Sequence, residues 1–259
     1  MEERRPGLTV IIPAFNVAKW LDRLLKTVTP WADEVIVCDS FSTDNTANIA
    51  KENKVVFIQH AYINSATQKN WIIPQASHPW VMVIDADELP EPALLTEIDL
   101  FLRNADSLTD MAFIPRKNMI WGELLGKGIN YPDYQSRLFR RDKGKYQDKA
   151  VHAQVEVPGK IVYLKNALLH DDFKNTSTWW LRNDRYYEYE LQELIKHNKR
   201  WSFTLQYLKP LYVFIKMYIG KGYFLHGFKG FYVCFQWAIY YFFVGARLYE
   251  YEYLNKKGS

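Results

Sequence analysis

The amino-acid sequence predicts an α/β fold, a mostly parallel sheet flanked by helices, followed by an aromatic-rich helical extension at the C-terminal end. Over the first ~105 residues, short apolar runs alternate with segments of helical length and periodicity. Several of those runs end in polar residues suited to holding a ligand. Aromatic residues make up 16% of the chain and crowd together after Trp179.

LTVII (8–12) reads as the first strand and VAKWLDRLLKTV as the first helix. EVIVC (34–38) is the second strand, and TDNTANIAKEN a helix with a polar start. VVFIQ (55–59) is the third strand, NSATQKNWII the third helix and WVMVID the fourth strand. This alternation implies parallel strands covered on both faces. From Asp106 to Asp172 the pattern is short and irregular, with MAFIP, SRLFRR and VHAQVEV as strands, and beyond Asn175 it is helical. Two regions are expected, a catalytic domain over 1–175 and a helical C-terminal region over 176–259.

Of the 259 residues 48% are hydrophobic, ample for a core, and the net charge of +4 does not argue for nucleic acid. Cys38 and Cys234 form neither a disulfide framework nor a zinc spacing. That fits a reducing compartment. The start, MEERRPG, runs into LTVII without an apolar segment of export length, so a cytoplasmic location is expected.

Ligands of parallel α/β sheets bind beyond the carboxyl ends of the strands. That rule sets Pro13–Asn16, Asp39–Asp44 and Asp85–Glu88 along one rim. The stretch WVMVIDADELP ends an apolar strand by crowding Asp85, Asp87 and Glu88 together. Like charges this close need compensation, from a basic side chain, a metal ion or open water. An Asp-x-Asp turn can present oxygens to Mg²⁺ or Mn²⁺, which take their remaining ligands from phosphates and water. The plainer reading, solvated loop acids with one capping the helix after Pro90, fits less well beside Asp39 on the same rim. Asp39 lies too early to cap the next helix and suits a hydrogen bond to a ligand base or ribose. Asp44 is placed for that cap.

IIPAFN, VIVCDSFSTDNT and VIDADE, in this order and spacing, resemble the inverting family 2 glycosyltransferases of GT-A (Rossmann-like) fold. YPDYQSRLFRR, AVHAQVEVPG and LLH are similar to the branch that contains the lipopolysaccharide core glucosyltransferases of the WaaE/KdtX type. In that branch VH is commonly followed by Glu; Ala153 stands there in this chain, so no acid role carries over. The resemblance implies a nucleotide-sugar donor, such as a UDP-hexose, with Mg²⁺ or Mn²⁺ on its diphosphate and inversion at the anomeric carbon. By the same analogy Pro13, Ala14 and Asn16 line the nucleotide pocket and Asp39 reads the uracil or ribose. Asp85 faces the ribose and diphosphate, and Asp87 binds the metal. Lys69 and Asn70 either reach this cleft or lie on an exposed helix face. Asp133 is the first choice for the base that takes the acceptor proton, with Pro132 fixing the chain before it and Glu88 and Glu156 as reserves. Arg137 and Arg140 could form one arginine face toward phosphate. His152 either orients the acceptor, completes the metal shell or is structural.

The aromatic tail has Lys209, Lys216, Lys221 and Lys229 interspersed, and its longest uncharged run, Phe231–Ala246, is shorter than the ~20 residues of a spanning helix. It suits helices lying in a membrane interface, at the inner face of the cytoplasmic membrane, and equally helices packed on the catalytic domain or in a homo-oligomer. The expected acceptor is a glycan or glycolipid, such as a lipopolysaccharide core or a lipid-linked saccharide. A nucleotidyltransferase is the rival enzyme, although PAFNVAKW lacks its glycine-rich loop. A non-enzymatic carbohydrate-binding protein is the third class.

Overall fold

The computed structural model describes residues 5–125, 129–148, 153–173 and 176–257. Two units share the chain, Met1–Met119 with Gly126–Asp172, and Ile120–Leu125 with Phe173–Ser259. Nothing in the sequence pattern marks Ile120–Leu125 as part of the second.

The strands in chain order are β1 (Leu8–Ala14), β2 (Glu34–Asp39), β3 (Val56–Gln59), β4 (Trp80–Val83), β5 (Glu88–Pro90), β6 (Thr109–Ile120), β7 (Ile129–Arg140), β8 (Lys145–Tyr146), β9 (Val155–Glu156), β10 (Lys160–Tyr163) and β11 (Leu168–Phe173). Nine of them form one sheet in the order β3-β2-β1-β4-β7-β6-β11-β5, with β10 beside β6; β8 and β9 pair separately. The strands β3, β2, β1 and β4 run parallel, as the alternating sequence predicts. Beyond them the pairs β4–β7, β6–β7 and β5–β11 are antiparallel, so the sheet is mixed.

The region expected to be short and irregular contains the two longest of these strands, β6 and β7, of twelve residues each. Their polar residues and Pro115, which argues against a strand interior, break the sequence pattern. In the structure Pro115 pairs with Tyr134, and the ladder absorbs register shifts on both sides of it. Of VHAQVEV only Val155–Glu156 forms a strand; Val151 and His152 lie outside the described residues.

Four helices accompany the sheet: α1 (Ala18–Val28), α2 (Thr46–Glu52), α3 (Ser65–Ile72) and α4 (Pro92–Asn104). Successive strand residues point to opposite faces, and the two cores follow from that. Val10, Ile12, Trp80 and Met82 pack with Leu21, Leu24 and Leu25 of α1 and with Leu94 and Ile98 of α4. Ile11, Ile36, Val81 and Val83 pack on the other face with Ala66 and Ile72 of α3. A strand buried on both faces has no polar alternation, which is why VIVC and WVMV read as continuous apolar runs.

The second unit contains α5 (Thr176–Lys196), α6 (Lys209–Ile215) and α7 (Gly227–Lys257). Tyr187, Tyr240 and Val244 are buried together, with Trp237 and Tyr241 against them. Gly230 allows a close approach, since a Cβ there would lie 1.9 Å from the Tyr223 carbonyl oxygen. Among the described residues no helix is long and apolar enough to cross a membrane.

Trp80 shows how the first core is secured. It is 1% exposed, edge-on to Phe101 at 5.3 Å, and under the Arg140 guanidinium at 4.8 Å. Trp80→Ala is expected to cost about 3–5 kcal/mol in urea unfolding. A loss under about 1 kcal/mol, within the range of ordinary surface changes, would contradict this packing.

Candidate active site

The rim begins where β1 and β2 end side by side, Pro13 opposite Cys38 and Ala14 opposite Asp39. Asn16, in the left-handed region at φ 52°, ties the two following loops together. Its Oδ1 accepts from the Thr43 N–H at 2.8 Å and the Asp44 N–H at 3.3 Å, and its own N–H donates to Ser42 Oγ at 2.8 Å. Asp39, fully buried, accepts from the Ser42 N–H at 3.0 Å, from Gln59 Nε2 at 3.1 Å and from the Ser42 hydroxyl. Its carboxylate therefore holds the loop that frames the crevice. Asp44 accepts a backbone N–H at the start of α2, as expected of a cap, and does more than that. The residue before α2 is Asn45, and Asp44 bridges two helix starts, accepting from the Ala18 N–H and the Thr46 N–H, both at 3.0 Å.

The crowded acids after β4 are compensated chiefly by basic side chains. Arg137 Nη2 lies 2.5 Å from Asp85 Oδ2 and 2.6 Å from Glu88 Oε1. Lys69 Nζ is 3.3 Å from Asp85 Oδ1 and over the Tyr146 ring. Arg116 reaches Glu88 Oε1 at 3.2 Å and grips Asp133 Oδ2 with Nε at 3.0 Å and Nη2 at 2.8 Å. Three acids, Asp85, Glu88 and Asp133, thus face three cations. The ladder sets these pairs, with Arg116 directly opposite Asp133 between β6 and β7. Burial pushes the Asp85 carboxyl up, but Arg137 and Lys69 outweigh it and hold it well below the usual carboxylate range. Burial likewise opposes ionisation of Asp133; Arg116 and the bonds from Asn118 and Gln135 outweigh it, and its pKa is lowered.

Asp87 has a different neighbour. His170 of β11, opposite Glu88 of β5, brings Nε2 to 3.7 Å from Asp87 Oδ2. Its Nδ1 lies 2.7 Å from Asn118 Oδ1, and Asn118 Nδ2 donates to Asp133 Oδ2 at 3.0 Å. A separation of 3.7 Å is long for a hydrogen bond. It is within the ~4.2 Å that two ligands, each about 2.1 Å from one ion, can span. One carboxylate and one imidazole suit Mn²⁺ or Mg²⁺ as a partial shell. No group of three or more His, Cys, Asp or Glu among the described residues could hold a metal, so phosphate and water oxygens would complete the shell.

Of the residues singled out in the sequence, Lys69, Asp85, Asp87, Glu88, Asp133 and Arg137 form this connected set. Asn70 instead bonds the Tyr146 backbone through both ends of its amide. Arg137 and Arg140 do not form one arginine face. Three positions apart on a strand they point to opposite sides, and Arg140 stacks on Trp80 and donates to the Thr109 carbonyl. Glu156 is exposed and accepts from Gln147. His152 lies outside the described residues. Sequence reasoning missed Arg116 and Asn118, and gave His170 no role. The available signal was Arg116 and Asn118 at alternate positions of one strand, which sets both on one face.

The family model for "Glycosyl transferase family 2" matches residues 9–168, over half of the chain and every site residue described above except His170. The chain belongs to that family. This glycosyltransferase is 25% identical over 254 residues to the lipopolysaccharide core biosynthesis glycosyltransferase LpsC of Rhizobium meliloti (strain 1021), covering 94% of this chain and 92% of LpsC. The crystal structure of S. aureus TarS 1–349 is 18% identical, covers 73% of this chain and 64% of that one, and has a TM-score of 0.47. Glucosyl-3-phosphoglycerate synthase from Mycobacterium tuberculosis, in complex with Mn²⁺, UDP-glucose and phosphoglyceric acid, is 20% identical, covers 45% of each chain and has a TM-score of 0.37. The fold is the expected GT-A arrangement with its aromatic helical extension, and the nucleotidyltransferase and non-enzymatic alternatives fall away.

The charge clamp is testable by itself. Arg137→Met leaves the fully buried Glu88 side chain with Arg116 as its remaining cation. Breaking such a buried pair is expected to cost about 3–5 kcal/mol in chemical denaturation, and adding Glu88→Gln should recover part of the loss. Equal stability of the wild type and Arg137→Met would show that the clamp holds nothing.

Proposed function

We propose that this family 2 enzyme is an inverting, divalent-cation-assisted hexosyltransferase. It takes its sugar from a nucleotide-linked donor, a UDP-hexose, and passes it to a glycan or glycolipid such as a lipopolysaccharide core. The observation that carries this reading is the approach of His170 Nε2 to within 3.7 Å of Asp87 Oδ2 at the rim, next to Asp85, Glu88 and Asp133. The similarity to LpsC along nearly its whole length supports the acceptor class. In this reading residues 1–175 are the catalytic domain, and the loops after β1 and β2 receive the nucleotide against Pro13, Ala14 and Asn16. Asp39 holds the second loop in shape. Asp85, about a third exposed, faces the ribose and diphosphate while Arg137 and Lys69 fix its carboxylate.

Asp87 and His170 would hold Mg²⁺ or Mn²⁺, which when bound neutralises the diphosphate and makes it a better leaving group. The acceptor hydroxyl must lose its proton as it attacks the anomeric carbon from the face opposite the leaving diphosphate. We assign the proton to Asp133 Oδ1, which accepts from Gln135 at 2.8 Å, while Oδ2 takes Arg116 and Asn118. Its lowered pKa keeps it ionised at neutral pH and makes it a weak base, so proton transfer accompanies bond formation.

Three results follow. Chelation with EDTA and Asp87→Ala should each abolish turnover without unfolding the protein; full activity in EDTA excludes the cation. Asp133→Asn should lower kcat by about 10²–10⁴-fold with donor affinity little changed. Because the Asp133 pKa lies below its ordinary value of about 3.9, kcat/KM should show no carboxylate titration between about pH 5 and pH 8. An acidic limb centred near pH 6 would place the base elsewhere.

The helical region, 176–259 in this reading, is the membrane-facing part, at the inner face of the cytoplasmic membrane. Leu211, Ile219, Leu225 and Phe228 are exposed there, with Lys209, Lys216 and Lys221 among them. A cavity of ≈ 300 Å³ lined by Trp179, Trp180, Phe228, Phe231 and Phe235 adds apolar surface. Rings and lysines in this mixture bind a lipid interface by apolar burial together with charge attraction. The protein should cosediment with anionic vesicles, and high salt should release it only in part, because salt screens the lysines alone. Leu225→Ser with Phe228→Ser should weaken that binding with little change in thermal stability. Indifference to vesicles at low salt, with a dimer in solution, would assign the surface to a second copy of the chain.

A further inference from the structure

We infer that Asn118 is a positioning residue that decides which nitrogen of His170 carries the proton, and so makes the Asp87–His170 pair competent for a cation. The inference rests on the reading that these two residues hold a divalent ion. It begins at Arg116, whose Nε and Nη2 both bind Asp133 Oδ2 and keep that carboxylate ionised. An ionised Asp133 only accepts hydrogen bonds. The end of the Asn118 amide that faces it at 3.0 Å must therefore be the NH₂ group. With the amide orientation fixed, Asn118 Oδ1 faces His170 Nδ1 at 2.7 Å. An amide oxygen is only an acceptor, so Nδ1 carries the hydrogen. In the neutral ring Nε2 is then a lone pair, and it is the nitrogen directed toward Asp87 Oδ2 at 3.7 Å.

A lone pair and a carboxylate turned toward each other repel unless something positive lies between them. The tautomer imposed by Asn118 thus disfavours a direct Asp87–His170 hydrogen bond and favours a cation. The opposite tautomer would let Nε2–H donate to Asp87 and occupy both donors. Metal-bound histidines commonly have their second nitrogen tied in this way, and loss of the tie costs about 10–100-fold in metal affinity. Asn118 and His170 are 6% and 8% exposed, so water replaces these partners poorly. The same chain of bonds joins Asp133, assigned above as the base, to the residue that holds the ion.

The direct test is the ¹⁵N spectrum of the His170 ring in metal-free wild-type protein at a pH where it is neutral, its signals identified by their loss in His170→Gln. The expected state is Nδ1–H with an unprotonated Nε2; an Nε2–H state overturns the inference without any variant having to fold. In Asn118→Leu the ring should lose that preference, and Mn²⁺ affinity, measured with UDP present, should fall by about 10–100-fold. Asn118→Asp keeps an acceptor for Nδ1–H, so it should retain the tautomer and most of the Mn²⁺ affinity even though it repels Asp133. Unchanged Mn²⁺ affinity in Asn118→Leu contradicts the inference. His170→Ala separates the two levels. If it binds Mn²⁺ as the wild type does, the cation reading itself fails, whatever tautomer the spectrum shows.

Discussion

Arg137, buried on β7, lies between Asp85 and Glu88 and lets an apolar strand end in three acids. Without it the turn after β4 would bury Glu88 with Arg116 as its remaining cation, and the cost of such a charge outweighs most single contacts in a fold. With it, Glu88 closes the turn from inside, its carboxylate accepting from the Asp85 N–H at 3.1 Å. The antiparallel pairing of β5 with β11 then brings His170 opposite Glu88, one position along from Asp87. The guanidinium on a neighbouring strand therefore determines where the rim acids point.

The clamp also separates the tasks of the acids. Asp85, Glu88 and Asp133 are matched by Arg116, Arg137 and Lys69, so they retain little net charge to repel a diphosphate. Asp87 lies beside the His170 imidazole, and in the proposed reading it is the acid that shares an incoming cation. In the proposed reading, a nucleotide diphosphate arriving with its ion meets acids that basic side chains already compensate. Such preorganisation spares the enzyme from reorienting charges during the reaction.

Much of this was legible in the sequence where local pattern and burial agree. The parallel half of the sheet follows from apolar runs alternating with helices, and the rim follows from the rule that ligands sit at strand ends. The site was less legible because its partners come from β6, β7 and β11, which meet the β4 turn only in the folded sheet. Asn118 and His170 lie 52 residues apart and share one hydrogen bond. No spacing rule connects them. Arg137 and Arg140 look alike in sequence, yet strand alternation sends one to the acids and the other to Trp80. The strands β6 and β7 were obscured by the residues that build the site, since polar positions facing a crevice interrupt the alternation by which a strand is recognised.

The division of labour among the rim acids is the central claim, and electron paramagnetic resonance of bound Mn²⁺ tests it directly. With UDP present, Mn²⁺ on the protein should show a hyperfine coupling to one directly bound nitrogen. That coupling should change from the ¹⁴N to the ¹⁵N pattern when histidine alone is ¹⁵N-labelled, and vanish in His170→Ala. Mn²⁺ bound tightly at the nucleotide with no nitrogen coupling would contradict the account and return the ion to an all-oxygen site on the acids that the clamp is held to neutralise.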